Sequence, residues 1–90
     1  MRKKARSKIP KKAPKGLQAN IFTAVIQRER NGYASFCPEL DIASQGENVE
    51  DARNNLQEAV ELFLESAAPA EIKARMHSEI YITKMQVAFG

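Results

Sequence analysis

From Val49 onward, apolar side chains recur at positions 49, 52, 56, 59, 60, 63 and 67, the spacing of one face of an α-helix. The opposite positions hold Arg53, Asn54, Gln57, Glu58, Glu61 and Glu65. This stripe constrains the chain more than any other feature, because an amphipathic helix must lay its apolar side on something. Asn48 is placed to cap the helix, with Asp51 three residues on as a weaker capping-box partner. Glu47, Glu50 and Asp51 stand where the helix dipole favours negative charge. A helix running to Ala67, ahead of Pro69, would measure roughly 28 Å at ~1.5 Å per residue, enough to cross a small sheet. Leu62 and Leu64 widen the stripe, either for a contact with another chain or to cover the loop that follows.

The stretches before the helix supply that sheet. Ile21-Phe22-Thr23-Ala24-Val25-Ile26 is short, apolar and rich in β-branched residues, which predicts a strand buried on both faces and therefore central. Asn31-Gly32 is a two-residue hairpin signal, since both residue types tolerate positive φ. Tyr33–Cys37 then forms the second strand, with Tyr33, Ser35 and Cys37 on one face and Ala34 and Phe36 on the other. Pro38 ends it, Pro38–Asp41 turns the chain, and Ile42–Gln45 gives a short third strand at the sheet edge, broken by Gly46. After the helix, Ala70–Met76 has room for one or two further turns. Ser78–Phe89 alternates Tyr81, Thr83, Met85, Val87 and Phe89 against Ile80, Ile82 and Ala88. That predicts a fourth strand, inside the sheet or paired with another subunit.

The order β-β-β-α-β, with the two most apolar strands adjacent, predicts a mixed four-stranded sheet of order 3-2-1-4 with one long helix packed on it. This is a two-layer α+β domain. One face of that sheet has no helix, so a homodimer or higher oligomer is the expected state.

Charge divides the chain. Arg2, Lys3, Lys4, Arg6, Lys8, Lys11, Lys12 and Lys15 are eight of the 14 basic residues, and no acid accompanies them. The remaining six basic residues face all 11 acids, so the domain from residue 17 carries a formal −5 behind a basic arm at residues 1–16. Like charges, two prolines and little apolar surface predict that the arm is disordered in isolation. It is either a solubilising tail or an electrostatic arm for nucleic acid, whose binding would then weaken steeply with salt. The arm has no aromatic residue to stack on bases.

Composition excludes several classes. No apolar run approaches the ~20 residues of a membrane span, and no apolar stretch follows the basic start as in a secretory signal. The single cysteine, Cys37, forbids an intrachain disulfide and a cysteine-built zinc site, and it suits a reducing cytoplasm. No cofactor and no metal site is expected. Two-metal phosphodiester hydrolysis needs converging carboxylates, beginning with one on a central strand. Leu17–Ile26 contains no Asp or Glu. Ser35 and Cys37 have no histidine with an orienting partner, and His77 stands alone in sequence. No catalytic residue is expected, and the chain reads as a non-enzyme.

Phe22–Ile26, Asn31-Gly32-Tyr33, Phe36-Cys37-Pro38-Glu39-Leu40, Ser44-Gln45-Gly46, Val49-Glu50-Asp51-Ala52 and Leu56–Leu64, taken together and in order, resemble the HicB antitoxin family. The resemblance covers about 45 of the 90 residues, and the closing Val87-Ala88-Phe89-Gly90 is similar as well. It implies a partial ribonuclease-H-like fold in a short form without a C-terminal DNA-binding segment. The implied partner is a HicA-like toxin, a small basic RNA-cleaving protein, which the antitoxin would neutralise by masking its active surface. An acidic domain meeting a basic toxin fits electrostatic complementarity. The positions carried over as partner-binding or family-signature are Tyr33, Phe36, Pro38, Glu39, Leu40, Ser44, Gln45 and Gly46; most of them read as fold-determining, and Tyr33 and Phe36 read as sheet packing ahead of anchors. The family's small turn after the third of these motifs is replaced here by Asp41-Ile42. Two other expectations stand beside this one: a solitary oligomeric module, and a nucleic-acid-binding protein acting through the arm.

Overall fold

In the computed structural model, residues 20–90 are described; the basic arm lies outside them. Three strands, β1 (Val25–Glu29), β2 (Gly32–Cys37) and β3 (Ile42–Gly46), form an antiparallel meander of order β1-β2-β3. A long helix, α1 (Val49–Ser66), and a short one, α2 (Pro69–Arg75), follow. The fold is α+β in two layers, with α1 lying over β2 and β3 and only grazing β1.

The helix forms as its stripe dictates. Asn48 is the N-cap, its Oδ1 accepting the Asp51 N–H at 2.7 Å. Ala67 closes the far end, its N–H donating to the Phe63 carbonyl. Ala68 then caps α2 with Pro69 at its first turn, where the missing N–H costs nothing. Ala52, Leu56 and Val60 are buried on the inner face, and Phe63 and Leu64 pack against the core. Leu62 is exposed.

Registers Ile26↔Ser35, Tyr33↔Gly46, Ser35↔Ser44 and Cys37↔Ile42 put the alternate residues of all three strands on one face. That face turns to the helix, as the alternation in β2 required. Cys37, Leu40, Leu56 and Val60 form the core, joined by Phe22, Ile42, Phe63, Leu64 and Met76. Burying a leucine such as Leu56 contributes about 2 kcal/mol. The hydroxyl of Ser35, buried beneath the helix, donates to the Ala52 carbonyl at 2.9 Å. A polar atom that would be costly there is thereby satisfied.

Four expectations are corrected. Among the described residues the sheet has three strands rather than four, and β2, not the first strand, is central. Residues 76–90 carry no helix or strand, because within one copy the alternating segment pairs with no edge. The first strand also begins later than its apolar run suggests. Thr23 gives its N–H to the Glu39 carboxylate instead of to a strand, and Ile21 is 96% exposed. The hairpin tip is shifted as well, since Arg30 and Asn31 make the turn and Gly32, paired with Glu29, carries the positive φ of 153°.

Candidate partner-binding surface

The signature residues divide by face. Tyr33, Ser44 and Gly46 lie on the helix side of the sheet, Phe36 and Gln45 on the open side, and Pro38, Glu39 and Leu40 in the β2–β3 turn. The fold does not gather them into one surface, and most of them answer to packing. Leu40 is fully buried. A Cβ on Gly46 would stand 2.3 Å from the Ala52 amide nitrogen, so only glycine lets the first turn of α1 cross β3 there. Gln45 uses its backbone carbonyl to accept from Asn55 Nδ2 at 2.8 Å, tying β3 to the helix again. Tyr33 is held from the side by Arg28, whose Nη1 donates to the phenol oxygen at 3.2 Å. The guanidinium stands 5.3 Å from the ring centroid, within cation–π range.

Glu39 organises one end of the molecule. Its carboxylate accepts from the Thr23 N–H at 2.9 Å and the Thr23 hydroxyl at 2.7 Å, and Cys37 Sγ approaches Oε1 at 3.4 Å. Its backbone carbonyl accepts the His77 N–H at 2.7 Å. Partial burial pushes the Glu39 carboxyl up, but the hydrogen bonds it accepts, from Thr23 first and then from its own backbone N–H and Cys37, together leave it below its ordinary value. The Cys37 thiol is driven the other way, chiefly by burial, with the Glu39 carboxylate adding to the effect. A buried thiol of raised pKa is a poor nucleophile. The turn is completed by Asp41, which adopts φ 57°, a conformation aspartate tolerates better than most residues. Arg75 Nε donates to the Leu40 carbonyl at 3.2 Å, and the His77 ring meets the Asp41 carboxylate at 3.1 Å. Sequence spacing gave no sign of that His77 partner, 36 residues away.

What is left for a partner is the open face. Val25, Phe36 and Ala43 are in register across the three strands, and all three are exposed. Val25 and Ala43 are absent from the signature set. The signal that finds them is the same alternation that placed Phe36 away from the helix. At the hairpin end, a concavity of about 690 Å³ is lined by Glu29, Tyr33, Glu47, Asp51 and Asn55 among others, and its charged groups are all acidic. Among the described residues, no group of three or more His, Cys, Asp or Glu side chains is placed to hold a metal ion. No helix there is long and apolar enough to cross a membrane.

The chain is 34% identical over 71 residues to a UPF0150 protein of Helicobacter pylori, an alignment spanning 78% of this chain and 99% of the relative. A UPF0150 protein of Synechocystis is 43% identical over 47 residues, covering 50% of this chain and 60% of the relative. No family model and no solved structure matches the chain.

Proposed function

The chain belongs to the UPF0150 family, and from that premise we propose that it acts as a HicB-like antitoxin. In this reading it binds a small basic, RNA-cleaving toxin of the HicA type and masks the surface that cleaves RNA. The domain is then a partial ribonuclease-H-like scaffold whose role is recognition. The observation that carries the reading is the open side of the sheet. It presents an apolar row, Val25–Phe36–Ala43, on a domain with a formal charge of −5. An apolar row on a domain of net negative charge suits a basic protein partner: charge speeds the encounter and the apolar row supplies the contact. The resemblance of Asn31-Gly32-Tyr33, Phe36–Leu40, Ser44–Gly46, Val49–Ala52 and Leu56–Leu64 to HicB proteins supports a HicA-type toxin as that partner.

The test is an RNA-cleavage assay with a HicA-type toxin from the source genome, titrated with this chain at two salt concentrations. Stoichiometric suppression, lost in Phe36→Asp while the variant stays folded, supports the reading. Cleavage unaffected by a molar excess of folded chain overturns it. Retention of nucleic acid by the full chain, abolished when residues 1–15 are deleted, would move the function to the basic arm.

A further inference from the structure

The segment after α2 and the outer edge of β1 are each incomplete in a way that the other completes. β1 pairs with β2 on one side and is the last strand of the sheet on the other, so a row of its backbone donors and acceptors is open. Continuing from its N-terminal end, a groove of about 350 Å³ runs between the segment that leads into β1 and the flank of α1, lined by Phe22, Ala24, Leu56, Val60 and Leu64 among others. The groove exists because α1 sits over β2 and β3. Tyr81, Met85, Val87 and Phe89 are meanwhile 80%, 86%, 64% and 94% exposed. They occupy alternate positions, as an apolar strand face would. The segment leaves the body at His77, fastened to the β2–β3 turn through the Glu39 carbonyl and the Asp41 carboxylate. From residue 81 onward every residue is exposed.

We propose that this segment is an exchanged strand: residues 79–89 of one copy add to the β1 edge of a second copy, and the second copy reciprocates. The odd-numbered face, Tyr81, Met85, Val87 and Phe89, enters the groove against Phe22, Leu56, Val60 and Leu64. The even-numbered face, with Ile80, Ile82 and Lys84, extends the open side of the sheet next to Val25 and Gln27. The exchange is isologous, so it closes as a two-fold dimer and leaves no free edge of this kind. Strand addition of this form takes its affinity from main-chain hydrogen bonds and its specificity from alternate side-chain pockets. The area is sufficient. Each buried aromatic removes about 150–250 Å², and two copies supply four aromatics besides Met85, Val87 and the isoleucines, against the ~1,600 Å² of a standard interface. A second copy is favoured over an unrelated partner because strand and edge are encoded in the same chain and both stand unpaired among its described residues. This inference does not rest on the antitoxin reading.

The test is the mass of the full chain by size exclusion with light scattering, beside a Met85→Asp/Val87→Asp variant and a Lys73→Ala control on the exposed side of α2. The expected result is a dimer for the parent and the control. The Asp variant should be a monomer with an unchanged circular dichroism spectrum and faster amide exchange in β1. A monomeric parent at 100 µM or so would overturn the proposal, as would an Asp variant that remains dimeric. If the Asp variant proves insoluble, Tyr81→Arg reads the same face. Amide exchange of the parent is the independent measurement: protection at 80–88 that does not rise as concentration increases also overturns it.

Discussion

The two faces of the sheet obey opposite rules. On the helix side the sheet is covered: Ser35, Cys37, Leu40, Leu56 and Val60 are buried, and the Ser35 hydroxyl has the Ala52 carbonyl. On the open side Val25, Phe36 and Ala43 line up with nothing above them. The same β2 strand supplies both faces, residue by residue in alternation. A substitution one position along therefore moves from specifying the fold to specifying what the fold meets. The difference teaches that the residues carrying the HicB resemblance are mostly of the first kind, and that the open side is made largely by less distinctive neighbours.

This contrast can be broken or sharpened by substitution. The largest effect is expected from Gly46→Ala, since the new methyl would meet the helix backbone at 2.3 Å from the Ala52 nitrogen. A loss of about 3 kcal/mol or more in urea unfolding is expected, in line with overpacking against an element that cannot yield. Leu56→Ala should cost about 2–5 kcal/mol by the same measurement, the range for emptying a buried leucine site. Glu39→Gln should cost about 1–2 kcal/mol at pH 7 through weakened hydrogen bonds from Thr23. The pH dependence of that difference follows from the sign. The folded-state pKa of Glu39 is depressed, so its contribution is fully present above the ordinary value of ~4.3 and is lost as pH falls through the lower folded value. The gap between wild type and Glu39→Gln should therefore narrow in unfolding series taken from pH 6 to pH 3. Phe36→Asp, one position from Cys37, should change stability by less than about 0.5 kcal/mol, as exposed sites usually do. If Phe36→Asp proves as damaging as Leu56→Ala, the two-face account fails.

The sequence carried the helix closely, from the Asn48 cap to the last turn, because a seven-position apolar stripe and a capping residue are local signals. It also carried the faces of β2 and the brevity of β3. It misplaced the centre of the sheet, because apolar content in Ile21–Ile26 reports that a segment seeks cover without saying what covers it. Phe22 finds that cover in the core while Ile21 stays in solvent, and Thr23 is claimed by a carboxylate 16 residues on. Residues 78–89 have the alternation of a strand but form none in this structure, because pairing is not a local property. The candidate surface was legible only where alternation reached it, at Phe36. Contacts such as His77 with Asp41 join residues through the turn and the end of α2, and no spacing rule predicts them.

Cys37 gives this small domain an internal clock. It is the chain's sole cysteine, fully inaccessible, with its thiol held in the protonated form by burial. Alkylating reagents attack the thiolate, so modification has to wait for the helix to lift off the sheet. The rate at which an excess of such a reagent consumes the thiol then counts those openings. A ligand that braces the fold would be seen as a slowing of that count, with no label added to any surface it touches.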